Sequence, residues 1–174
     1  METTRTRLLY LMLIVGFTIG AFLIGAKPAA AQGDCQLVFN ATSKVFDTPT
    51  HSYTTMNMGG TTQPGGEMIY VAGASYLKSG GKWSPGTMSI QELKQLVQKN
   101  IQTNKTTCRY LKDELVNGEL AAVYSVHEET PRSKSDSQIW ISKAKGLPLR
   151  SEQDLDAKTH ISTRYEYGNV KPPM

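Results

Sequence analysis

Thr159–Tyr167 reads THISTRYEY, and its reading decides the fold. Ile161, Thr163, Tyr165 and Tyr167 fall on one face. His160, Ser162, Arg164 and Glu166 fall on the other. A period of two over a whole segment is the pattern of a half-buried strand. Working back towards the N-terminus, Leu147 to Asp154 alternates Leu147 and Leu149 against Arg150 and Glu152. Gln138-Ile139-Trp140-Ile141-Ser142 is a further strand, and Lys145-Gly146 turns it into the next. Thr130 to Ser137 is polar and predicts a loop. Glu119 to Glu128 alternates Leu120, Ala122, Tyr124 and Val126 against Ala121, Val123, Ser125 and His127. It pairs with a strand over Cys108 to Leu115 through Asn117-Gly118, a strong tight-turn signal.

The upstream half follows the same logic. His51 to Met58 predicts a strand and Glu67 to Val71 a second, with Gly59-Gly60 and Gly65-Gly66 framing a loop between them. Ser75 to Lys78 and Lys82-Trp83 flank Ser79-Gly80-Gly81 as a hairpin, and Pro85-Gly86 ends the run. Helical spacing occurs twice. Cys35 to Phe46 carries Leu37 or Val38, Ala41 and Val45 on one stripe, stopped by Asp47-Thr48-Pro49. Ile90 to Thr103 carries Ile90, Leu93, Val97 and Ile101, opened by Ser89-Ile90-Gln91-Glu92, the spacing of a capping box. Consecutive strands on short connections make an antiparallel sheet, and two helices must cover its apolar face. The expected class is α+β: a curved antiparallel sheet packed on an N-terminal and a central helix.

The first residues point to export. Arg5 and Arg7 precede an apolar run from Leu8 to Ala26, followed by Lys27-Pro28 and Ala29-Ala30-Ala31. Charge, then grease, then small residues is the layout of a secretory signal peptide, with cleavage expected after Ala31. Residues 32–174 then form one domain, periplasmic or secreted, with no stable membrane span. Export also sets the redox setting. Cys35 and Cys108 are the two cysteines of the chain, and in an exported protein a structural disulfide is the default. The formal charge of +4 is interspersed and partly carried by the leader. No basic tract or aromatic–basic stripe suggests nucleic acid.

The closing strands resemble those of the periplasmic lipoprotein-carrier-like proteins. The resemblance rests on Gln138-Ile139-Trp140-Ile141-Ser142, Gly146-Leu147-Pro148-Leu149-Arg150, and Arg164-Tyr165-Glu166-Tyr167-Gly168-Asn169-Val170 with Pro172. It covers about Gln138 onward well and the earlier chain only in strand order. It implies an incomplete β-barrel with helices closing its mouth and an apolar cavity for acyl chains.

Chemistry is sparsely marked. His51, His127 and His160 fall on different predicted strands and lack metal-ligand spacing, so no metal site is expected. No G-x-S-x-G or Ser/His/Asp grouping is present, and no cofactor motif. The expected protein is therefore no enzyme. Met56 and Met58 share one strand face, and Met68 and Tyr70 share a face of the next. Methionine adapts to irregular apolar partners, so these four are the candidate contacts for a lipid or other hydrophobic ligand. The alternative is an envelope interaction or scaffold protein with a filled core and no small-molecule ligand.

Overall fold

Nine antiparallel strands form one sheet in a computed structural model that describes residues 29–131 and 133–173. The strands are β1 (Thr50–Met58), β2 (Thr61–Val71), β3 (Ala74–Ser79), β4 (Lys82–Pro85), β5 (Lys105–Val116), β6 (Glu119–Glu129), β7 (Lys134–Ser142), β8 (Pro148–Asp156) and β9 (Thr159–Tyr167). The helices are α1 (Ala29–Val45) and α2 (Ile90–Thr103). The sheet order is β4-β3-β2-β1-β9-β8-β7-β6-β5. One crossover therefore brings the last strand between the two halves, and β4 and β5 remain as unjoined edges. The result is the expected α+β architecture, a curved and unclosed sheet with two helices. The expected leader lies largely outside the described residues. Among the described residues, no helix is long and apolar enough to cross a membrane.

α1 is fastened to the sheet by the Cys35–Cys108 disulfide, which joins residues 73 positions apart. Val38 and Ala41 pack beside it against Ala122, Tyr124, Ile139 and Ile141. These residues define the helix-facing side of the sheet. On the outer side, Ala121, Val123, Trp140 and Leu149 form a second, smaller cluster. Leu149 joins it through the register shift between β7 and β8, where Trp140 faces Arg150 and Ile141 faces Pro148. The extra residue interrupts simple alternation, and Arg150 then stacks over the Trp140 ring at 3.8 Å.

Three expectations need correction. α1 begins at Ala29 rather than Cys35. Lys134 to Ser137 is strand rather than loop, because it completes the ladder with Val126 to Glu129 on β6. Gly65-Gly66 does not bound a loop but lies inside β2, at a register shift opposite Thr54 and Thr55. A Cβ on Gly65 would stand 2.9 Å from the Thr54 Cγ2, and Gly66 has φ of +133°. Glycine is what lets the bulge pass so close to β1.

Candidate functional site

α2 forms as the sequence requires. Ser89 accepts from the Glu92 amide, and the Glu92 carboxylate accepts from the Ser89 amide at 2.7 Å. Yet no residue of this amphipathic helix is buried. Leu93, Val97 and Ile101 are only half-buried, and Leu96 is 43% exposed. The helix is held at its ends instead. Near its start, Ser75 Oγ donates to the Met88 carbonyl at 3.1 Å and Lys94 pairs with Asp47. Past its end, Asn104 donates to Glu128 at 2.6 Å.

Between α1, α2 and the sheet lies a cavity of about 290 Å³. Val38 and Phe39 of α1, Val97 and Ile101 of α2, and Val126, Ile139 and Tyr165 of the sheet give it apolar walls. Ser137, Ser151 and Thr106 add hydroxyls. Its volume is at the lower edge of the ~300–1,000 Å³ range of small-molecule sites. A second hollow of about 420 Å³ lies across α1, lined by Leu37, Ala41, Ala122, Tyr124 and Ile141, with Lys44 and Lys143 among its polar lining. The disulfide makes α1 a fixed partition between the two.

The four sequence candidates lie on the helix-facing side but do not line this cavity. Ser52 faces Tyr165 on β9 and Met68 on β2, so Ser52, Thr54, Met56 and Met58 share the Tyr165 side. Thr50 faces Tyr70, which brings Met68 and Tyr70 to the same side. Met68 and Tyr70 touch, the phenol reaching the thioether sulfur at 3.5 Å. Met56 and Met58 stand beyond Thr54, opposite Gln63 and Thr61 towards the Gly59-Gly60 turn. The four thus form two neighbouring pairs along one face rather than one cluster. Burial pushes the Tyr70 phenol up to about 12, with Tyr165 adding to the shift, so it stays neutral. Burial raises the Tyr165 phenol too. The cavity residues of α1 and α2 escaped the sequence reading because both helices read as core; the signal was their apolar stripe, but nothing in it tells a packed stripe from an open one.

The histidines lie on the outer side and apart. His127 pairs with Asp136 and His160 with Asp154, each at 2.8 Å, across neighbouring strands. His51 joins a larger group. Its Nε2 stands 3.0 Å from Glu67, its Nδ1 2.9 Å from the Tyr53 hydroxyl, and that hydroxyl 3.1 Å from Glu166. The Lys78 ammonium, more than desolvation opposes, holds the Glu67 carboxyl below its ordinary range, and His51 adds to this. Burial first, then Glu166, raises the Tyr53 phenol. Among the described residues, no three metal-ligating side chains converge.

Comparison with solved structures places this arrangement. The Mycobacterium tuberculosis lipoprotein LppX matches over 84% of this chain and all of its own length, at 15% identity and a TM-score of 0.50. The likeness is one of fold: a curved, unclosed half-barrel sheet with helices. LprF from Mycobacterium bovis matches over 83% of this chain and 99% of its own, at 10% identity and a TM-score of 0.45. MucB, solved in complex with MucA(peri), matches over 80% of this chain and 57% of its own, at 14% identity and a TM-score of 0.49. At the level of fold, the likeness to LppX bears out the expected half-barrel. No protein-family model and no curated protein sequence matches the chain.

Proposed function

We propose that this is an exported, non-enzymatic envelope protein that holds an apolar ligand, such as a lipid or acyl chain, between its helices and sheet. One observation carries the reading: the apolar stripe of α2 lines a cavity, and none of the helix's residues is buried. An amphipathic helix normally gains its stability by packing that stripe. A ligand chain in the cavity would supply the missing contacts, at ~0.8 kcal/mol per methylene removed from water. The two methionine pairs and Tyr70 extend an adaptable apolar surface beyond the cavity. The disulfide suits an oxidising compartment, periplasmic or extracellular, reached after cleavage near Ala31.

Titration with the neutral fluorescent probe N-phenyl-1-naphthylamine tests this. The intact protein should saturate at one probe per chain. Val97→Asp, which places a charge on the cavity wall of a helix with no buried residue, should weaken binding at least ~tenfold. A wild-type protein that is folded and gives no saturable signal would overturn the reading in favour of a scaffold with a filled core.

A further inference from the structure

The cavity between α1, α2 and the sheet has one charged corner. Val126 of β6 and Ile139 of β7 belong to its apolar wall. Two residues beyond Val126 on the same strand face, Glu128 lines the cavity beside Thr106, its cross-strand partner on β5. Asn100 of α2 joins them from the helix side. Among the described residues that line the cavity, none is a lysine, arginine or histidine, and only Glu128 is acidic.

Nothing nearby offsets that charge. The next residue, Glu129, faces the other side of the sheet and takes the lysines of both neighbouring strands, Lys134 at 2.8 Å and Lys105 at 3.7 Å. Among the described residues Glu128 has no ion-pair partner. It accepts one hydrogen bond, from the Asn104 side-chain amide at 2.6 Å, whereas a carboxylate has room for about four. Asn104 also closes α2, its backbone amide donating to the Asn100 carbonyl at 2.9 Å. The C-terminal end of the helix therefore stands at the same corner. That end carries partial negative charge, and no basic residue in the last turn of α2 balances it. Carboxylate, helix end and hydroxyl together make a negative, acceptor-rich corner at the edge of an apolar space.

We infer that the cavity selects an amphiphile whose apolar chain ends in a cationic primary amine, and that Glu128 is the residue that selects it. This names the ligand class of the site and rests on the ligand-holding function proposed above. The chain lies against Val97, Ile101, Val126 and Ile139, and the ammonium meets Glu128. An ammonium supplies both the missing positive charge and the hydrogens for the open acceptor positions of the carboxylate. A carboxylate head would set two like charges together in a half-buried corner, with the helix end adding to the repulsion. An alcohol head donates without charge, so it ranks between the two.

The test uses the full mature protein at about pH 7, where an alkylamine is protonated and a fatty acid ionised. Decylamine, 1-decanol and decanoate share one chain length and differ in the head. Each competes with N-phenyl-1-naphthylamine for the wild-type protein. Decylamine should displace the probe at a concentration at least ~tenfold below that of decanoate, the margin by which a charge-assisted hydrogen bond exceeds a neutral one, with 1-decanol between them. Glu128→Gln keeps the shape and an acceptor for Asn104, and should bring the three within ~threefold of one another. Glu128→Asp keeps the charge and should keep the preference, so a loss in the Gln variant alone is a loss of charge and not of folding. Equal displacement by all three in the wild type, or a preference for decanoate, would overturn the inference and leave the ligand-holding function standing. A preference for the amine that survives in folded Glu128→Gln would overturn the role of Glu128. A wild type that binds neither the probe nor any of the three would overturn the ligand-holding function and this selectivity with it.

Discussion

Met58 is 43% exposed on the helix-facing side, at the end of β1, so its replacement costs little packing. Met58→Asp should leave the thermal midpoint within ~2 °C, since surface changes usually stay within ~0.5 kcal/mol. It should nonetheless cut probe affinity, because an ionised carboxylate beside an apolar chain must be desolvated. Thermal melting and probe titration of one preparation read both effects. Unchanged affinity would remove Met58 from the ligand surface. Glu119 makes a different prediction. Lys145 first and then Ser142 hold its carboxyl below the ordinary range, and both partners lie at the β7–β8 connection. A lowered carboxyl contributes stability that is present above its unfolded value of 4.5 and is lost as pH falls through its folded value. Glu119→Gln should therefore lower stability at pH 7 by less than ~1 kcal/mol, and by less at pH 3. Urea unfolding at the two pH values checks the sign. At this scale the sequence marks which residue types share a face, as it does for Met56 with Met58 and Met68 with Tyr70. It does not mark partners. Tyr53 and Glu166 are 113 positions apart, and only the crossover that inserts β9 beside β1 brings them together.

α2 is the helix that lines the cavity without burying a residue. Its capping box fixes its start, but its stripe meets open space, so the helix depends on local terms more than a packed helix does. Ser89→Ala should remove ~1 kcal/mol of helix stability. Because the helix covers the cavity, faster probe release should accompany faster amide exchange over Ile90–Thr103. Faster exchange with unaltered release would mean that the helix is no lid. The boundaries of α2 and of β9 are legible because strong periodicity and strong capping agree there. β2 is less legible for a physical reason. Gly65-Gly66 carries the same local signal whether it makes a turn or a bulge, and only pairing with β1 decides between them.

For the whole molecule, one disulfide distinguishes the two helices. Cys35–Cys108 pins α1 to β5, and α2 has no covalent tie. Closing a loop across 73 positions is worth ~4 kcal/mol in the chain-entropy model. The Cys35→Ala/Cys108→Ala double variant should lose up to that much in urea unfolding. It should also merge the two hollows that α1 divides, so that probe stoichiometry changes. The half-barrel was legible from the closing strands because alternation and short turns leave few antiparallel arrangements, and the resemblance pointed to the same one. The cavity was not legible, because a void is a property of how elements fail to fill space and leaves no mark in their periodicity. The space under α2 is the proposed seat of an apolar ligand. The most direct measurement is mass spectrometry of an organic extract from the mature protein, purified gently after export in its own host. A lipid or other apolar molecule at about one per chain is the predicted result. An empty extract from protein that is folded and disulfide-intact, and that takes up no added lipid, would contradict it.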